Sequence, residues 1–147
     1  MIRMMLMVTV LGMLTMTDLR ANEGSWFTDY ATAKAAAQEQ QKPMLLNFTG
    51  SDWCGWCMKL EKEVFSTPAF KNYAREHLIL VKIDFPKHKA LPDPEKEQND
   101  TLAAKYQVKG YPTLVLISPE EQILLSQEGY DGPPQPFIDK LDAAIKK

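Results

Sequence analysis

Only two cysteines occur in the 147 residues, Cys54 and Cys57. A structural zinc site ordinarily takes four Cys or His ligands, and the two histidines, His77 and His88, do not stand at metal-ligand spacing to them. A bridge between the two cysteines would close a loop so short that it restrains the unfolded chain little, so the pair points to chemistry more than to stapling. Charge of one sign is equally scarce. Seventeen Lys and Arg face nineteen Asp and Glu, a formal net charge of −2, without a basic stripe, which argues against nucleic acid or an anionic membrane as the main partner. Runs of about 20 apolar residues, the length that spans a bilayer, are missing, as are internal repeats and low-complexity segments.

What is present suits one globular domain: 45% hydrophobic and 24% charged residues in a length that can bury a core. Residues 1–21 read differently. Arg3 supplies a small positive head, Met4 to Met16 is almost wholly apolar, and polar residues follow up to Ala21. That layout is expected of an export signal removed after Ala21, leaving residues 22–147 as the working domain in the periplasm or outside the cell. A buried N-terminal helix or an uncleaved anchor is the other reading. Leu19 departs from the small residue favoured near such a cleavage point. Outside the cytosol disulfides persist, which sets the redox context for the cysteine pair.

Along residues 22–147 the hydrophobic pattern predicts a helix over 26–40, because Trp26, Phe27, Tyr30, Ala33 and Ala37 recur at helical spacing. Residues 44–49 read as a strand, 50–52 as a turn, and a helix opens at the cysteines. Thr67-Pro68 pairs a capping residue with proline at the first helical position. Leu78 to Phe85 is apolar enough to be a central strand. Residues 86–98 form a Pro-rich polar loop, with Asn99-Asp100-Thr101 capping a short helix through Tyr106. Residues 113–118 and 122–126 suggest a hairpin, and Phe137, Ile138, Leu141, Ala144 and Ile145 mark a C-terminal amphipathic helix. The alternation followed by a hairpin implies an α/β fold, a mixed sheet with helices on both faces.

The stretch Ser51-Asp52-Trp53-Cys54-Gly55-Trp56-Cys57 carries the chemistry. A cysteine at a helix N-terminus has its thiolate favoured by unpaired N–H groups and the helix dipole. A second cysteine three residues on can attack a mixed disulfide on the first. Two thiolates can also carry Cu(I). Met58 stands where a c-type haem motif requires His, which removes covalent haem.

These residues resemble the active site of the thioredoxin superfamily, with Trp53 before the first cysteine. Val108-Lys109-Gly110-Tyr111-Pro112-Thr113 resembles that family's cis-proline loop. Glu61 to Ser66 is similar to the periplasmic C-terminal domain of the membrane protein that carries reducing power outward, and the run from Asp84 to Tyr106 resembles an exported bacterial branch. The resemblance covers about Leu45 to Ile145. It implies a thioredoxin-like fold and thiol–disulfide exchange with protein substrates, without an organic cofactor, fed or drained by a redox partner that could be membrane-bound. Residue by residue it implies that Cys54 attacks and Cys57 resolves. Pro112 and Tyr111 would align a substrate strand, and Trp53, Gly55 and Trp56 would rim the site.

One departure stands out. Many thioredoxins carry a buried Asp on the strand before the motif, as proton acceptor for the resolving thiol. Here the matching residue is Asn47, with one extra residue before the cysteines, and Asn cannot take a proton. Glu61, one helical turn after Cys57, is the candidate replacement; an exposed carboxylate paired with nearby lysines is the plain alternative. Strong oxidants of the superfamily have a His between the cysteines, and Gly55-Trp56 has none, so a reductase or isomerase is expected before an oxidase. The rival from another class is a binding or adaptor module that holds exported clients without turnover.

Overall fold

The computed structural model describes residues 24–130 and 132–147; the export signal expected over 1–21 lies outside them. The chain runs β1 (Trp26–Phe27), α1 (Tyr30–Gln40), β2 (Met44–Thr49), α2 (Gly55–Leu60), a π-helical turn (Glu61–Phe65), α3 (Pro68–His77), β3 (Ile79–Asp84), α4 (Asp93–Lys105), β4 (Thr113–Ile117), β5 (Ile123–Glu128) and α5 (Pro134–Ile145). One five-stranded sheet has the order β1-β3-β2-β4-β5. β1, β3 and β2 are parallel, whereas β4 is antiparallel to β2 and β5 to β4. This is the thioredoxin-like α/β fold, with helices on both faces of a mixed sheet.

The two faces follow from the period of two along each strand. Leu45, Leu80, Leu114 and Leu116 point into one core with α2, the π turn, α3 and α5, where Phe65, Phe70 and Phe137 pack together. Met44, Leu46, Phe48, Val81, Ile83 and Val115 point to the opposite core, under Ala33, Ala36 and Ala37 of α1 and Leu102 of α4. The small alanines let α1 lie close on the sheet. β2 is buried at all six positions because neighbours cover both its edges and helices cover both its faces.

Two sequence expectations fail for identifiable reasons. The first helix begins at Tyr30, not Trp26. Asp29 caps it by accepting from the Thr32 N–H at 2.7 Å, and Trp26-Phe27 is a short strand on β3. As strand neighbours the two rings go to opposite faces: Trp26 packs 5.0 Å from Phe65, and Phe27 joins the other core. Their helical spacing from Tyr30 is fortuitous. The second failure is the loop over 86–98. α4 already starts at Asp93, with proline in its first turn and Asp93 and Glu95 complementing the dipole there. Asn99 is therefore no cap. It lies inside α4, 1% exposed, and its amide donates to the Asp84 carbonyl at 2.9 Å, tying α4 to the end of β3.

Candidate active site

β2 ends at Thr49, and the chain turns through residues 50–53 before α2 begins. Gly50 is required there by close approach. A Cβ on it would sit 2.4 Å from Trp53 Cε2, well inside contact distance. Trp53 folds back over Gly50 and donates its indole N–H to the Phe85 carbonyl at 2.7 Å. Its ring meets Tyr111 edge-on, with centroids 5.8 Å apart, and carries the Lys87 ammonium 3.8 Å from its centroid.

Two carboxylates brace the same turn. Asp84, buried at the end of β3, accepts from the Ser51 N–H at 3.0 Å and the Ser51 hydroxyl at 2.5 Å, and Lys89 pairs with it at 3.3 Å. Asp52 accepts from the backbone N–H groups of Lys87 and His88 at 2.9 and 2.8 Å. Those donors, the Lys87 N–H first, hold its carboxyl below the usual range. The turn before the cysteines and the segment after β3 are thus laced together by three consecutive residues, Ser51, Asp52 and Trp53.

Cys54 is the N-cap of α2. It has extended backbone dihedrals, and its Sγ accepts from the Cys57 N–H at 3.2 Å. In an ordinary helix a Ser or Asp oxygen would do this. A sulfur in that position gains most when it is charged, because it receives an N–H at the positive end of the helix. The two cysteines form a disulfide, with Cα atoms 5.2 Å apart. Cys54 is 7% and Cys57 4% exposed, and Cys57 faces inward from α2.

The Tyr111–Pro112 peptide bond is cis. Pro112 is buried, and Tyr111 is half-buried between Trp53 and Phe85; burial raises its phenol pKa. The Pro112 carbonyl accepts from the Gly129 N–H at 2.8 Å, so the segment after β5 is tied to this loop. Gly129 has φ +79°, a conformation glycine adopts without a Cβ penalty. Trp56, Tyr111, Pro112, Gly129 and Tyr130 line a shallow 230 Å³ depression. Trp56 is 60% exposed and stacks against Tyr130 at 6.3 Å. Gly55 is exposed, and a Cβ added to it would meet nothing within 4 Å.

Behind the disulfide lies a second cleft of about 340 Å³, lined by Asn47, Thr49, Cys57, Glu61, Lys62 and Lys82 among others. Glu61 does share this cleft with Cys57. It is exposed, and its carboxylate accepts from the Ser66 hydroxyl at 3.4 Å. Of the residues the sequence pattern points to, Cys57 and Glu61 line the cleft and Trp56, Tyr111 and Pro112 line the depression, while Cys54, Trp53 and Gly55 line neither, although the Trp53 ring meets Tyr111. The pattern misses Tyr130, Gly129, Asp84 and Lys82, which come from elements distant in the chain. The Gly-Tyr pair after an apolar strand is the one available signal. Among the described residues no group of three or more His, Cys, Asp or Glu is placed to hold a metal ion.

A thioredoxin-like family model matches residues 25–119. The disulfide bond reductase DsbH of Chlamydia pneumoniae is 36% identical over 117 residues, 80% of this chain and 70% of the relative. The thioredoxin-related protein DsbJ of the same organism is 32% identical over 122 residues, a match that spans 35% of that longer protein. A solved DsbH oxidoreductase superimposes with a TM-score of 0.78 at 35% identity, covering 83% of this chain and 84% of the other. The reduced C-terminal domain of Neisseria meningitidis DsbD shares the fold at a TM-score of 0.58 and 19% identity, over 78% and 91% of the two chains. The matched family model, the two curated relatives and the Cys54–Cys57 disulfide at a helix start identify the chain as a member of the thioredoxin-like family of disulfide oxidoreductases.

Proposed function

We propose that the protein reduces or isomerises disulfides in exported proteins, with Cys54 as nucleophile and Cys57 as resolving thiol. The observation that carries this reading is the Cys57 N–H donated to Cys54 Sγ at 3.2 Å at the start of α2. In the reduced protein that donor and the helix dipole favour the Cys54 thiolate at near-neutral pH. The thiolate attacks a client disulfide, forms a mixed disulfide and releases one client thiolate. Cys57 then loses its proton and attacks Cys54 Sγ, expelling the second client thiolate and closing the Cys54–Cys57 bridge. The client gains two electrons, and a redox partner, in the membrane or beside it, must return two to the protein.

The client strand is expected to lie along the cis Tyr111–Pro112 loop, pairing with the Tyr111 backbone. Trp53, Gly55 and Trp56 form the rim, and the exposed indole of Trp56 supplies apolar contact. Glu61, in the cleft with Cys57, is assigned the proton from the resolving thiol at the cleft mouth. Gly55-Trp56 offers no cation to stabilise the thiolate further, which favours a reductant, and the 36% identical relative is named a disulfide bond reductase. Residues 1–21 are proposed to be a cleaved export signal. N-terminal sequencing of the secreted or periplasmic protein beginning at Asn22 would bear that out, and an intact Met1 would refute it.

The test is the reduction potential of the pair by thiol trapping in glutathione and dithiothreitol buffers, combined with a disulfide-reduction assay on Cys54→Ser. A potential near about −270 mV with activity abolished by the substitution supports a reductase. A value near about −120 mV makes the protein an oxidant. Full biological function retained by Cys54→Ser makes it a binding module instead.

A further inference from the structure

Both tryptophans that flank Cys54 carry a lysine. The Lys87 ammonium lies 3.8 Å from the Trp53 ring centroid, and the Lys59 ammonium lies 5.2 Å from that of Trp56 and 5.4 Å from that of Tyr130. The two come from different parts of the chain, Lys59 from α2 and Lys87 from the segment after β3. Both are exposed, and neither makes an ion pair among the described residues. The acids nearby are already engaged. Asp52 accepts from the Lys87 and His88 backbone N–H groups, Asp84 holds Ser51 and Lys89, and Glu63 accepts from the Tyr130 hydroxyl. Glu61 stands in the separate cleft with Cys57. A cation on an indole face is held there by the ring quadrupole, so each charge stays at the rim. Although the chain has a net charge of −2, the rim around Cys54 thus presents two ammonium groups on aromatic platforms without carboxylate partners.

We infer that this rim selects acidic clients: Lys59 and Lys87 are specificity residues that receive Asp or Glu side chains beside the client's reacting cysteine. The inference rests on Cys54 being the attacking thiol of the exchange proposed above. Tyr111 connects the two lysine-bearing indoles. Its ring meets that of Trp53 with centroids 5.8 Å apart, and it lines the shallow depression with Trp56 and Tyr130. A client strand laid along Tyr111 and Pro112 therefore passes beside both indoles. Its apolar side chains can enter the depression, and carboxylates flanking its cysteine come within reach of the two ammonium groups. Charges at an exposed rim act mainly on encounter and on the choice of partner, which suits a protein that must release each client after exchange. The bond formed joins Cys54 Sγ to one client sulfur, the bond broken is the client S–S, and the electron pair departs on the other client sulfur. The lysines take no part in that electron flow.

The experiment measures attack by Cys54 in the Cys57→Ser protein, where the mixed disulfide accumulates and no turnover is needed. The probes are two disulfide-linked peptide dimers, alike except that Glu flanks the cysteine in one and Lys in the other. Each rate is divided by that of dithiothreitol with the same peptide, which removes the reactivity of the peptide sulfur itself. The Glu-to-Lys ratio also cancels any change in the Cys54 thiolate, since one thiolate attacks both peptides. At about 10 mM salt, where charges act over about 30 Å, the ratio is expected to be about tenfold, two exposed pairs contributing about threefold each. Lys59→Gln and Lys87→Gln should each lower it about threefold, whereas Lys42→Gln, just before the opposite end of β2, should leave it in place. At about 1 M salt, where screening sets in within about 3 Å, the ratio should approach one. A low-salt ratio at or below one overturns the proposal, and so does a ratio that Lys42→Gln lowers as much as the two rim substitutions do. If the ratio behaves as stated but the protein with both cysteines reduces neither peptide, the reductase reading fails and the acidic preference stands. If Cys54 attacks neither peptide, the exchange reading fails and the preference falls with it.

Discussion

Gly50 shows how a single missing methyl group sets the site. The Trp53 indole occupies the space a side chain at residue 50 would take, and from there it reaches both the Phe85 carbonyl and the Tyr111 ring. Trp53 is therefore a strut between the cysteine turn and the cis-proline loop more than a free rim residue. Gly50→Ala must push the indole aside. Such crowding costs about 1–3 kcal/mol, and the shift would break the Nε1–Phe85 bond. Thermal unfolding should show the loss, and the rate of attack by Cys54 on a small disulfide should fall because Trp53 immediately precedes it. Gly55→Ala, with open space around it, is the control expected to leave stability within about 0.5 kcal/mol.

At the scale of elements, the site is a junction between β2, β3 and α2 that a buried carboxylate holds closed. Asp84 ends β3 and anchors Ser51 through two hydrogen bonds, while Asn99 of α4 grips its carbonyl. Asp84→Asn turns a charged acceptor into an amide with one acceptor oxygen, and it leaves Lys89 without its partner. Hydrogen bonds to charged groups contribute about 1.5–3 kcal/mol, so denaturant unfolding should register a loss of about that size. Hydrogen exchange at Ser51 to Cys54 should quicken more than exchange in α5, which makes no contact with Asp84 and packs on Phe65 and Phe70. Equal acceleration everywhere would mean that Asp84 stabilises the fold as a whole and not this turn. The π turn after α2 belongs to the same scale: its wide hydrogen bond, from Ser66 N–H to the Glu61 carbonyl at 2.9 Å, accompanies the burial of two consecutive side chains, Val64 and Phe65.

Across the whole molecule, Glu121 joins parts that are remote in sequence. It sits in the β4–β5 turn with φ +66°. Its carboxylate accepts from the Tyr30 hydroxyl at 2.6 Å, Lys34 at 2.6 Å and Lys105 at 2.8 Å, linking the hairpin to α1 and α4. These donors, Lys105 first, bring its pKa down to about 2. A carboxyl more acidic folded than unfolded contributes stability above its unfolded pKa of about 4.3, and that contribution is lost as pH falls through the folded value of about 2. Between those limits the unfolded chain binds the extra proton, so stability falls on acidification. Glu121→Gln should therefore flatten the pH dependence of unfolding over that interval and lower stability at pH 7 by on the order of 1 kcal/mol, the lysines being partly exposed. Unchanged acid sensitivity in the variant would place the effect in other carboxylates.

The local pattern alone determined the class of fold and the reactive pair. Strand and helix periods are short-range properties, and a thiolate at a helix start needs only Cys54, its neighbours and a helix to follow. The apolar runs over 44–49 and 78–85, the Thr67-capped α3 and the amphipathic α5 were legible for the same reason. Trp26 and Phe27 were misread because helical spacing and a two-residue strand look alike over so short a span, and only the edge of β3 decides between them. Asn99 read as a cap because its role is to meet a carbonyl fifteen residues away. The bracing of the cysteine turn by Asp84, the approach of Tyr130 to Trp56 and the pairing of Asn47 with Lys82 depend on strand register and loop docking. Those are products of the packed sheet, where contacts between distant residues are set by burial of two cores at once, and no window along the chain contains them.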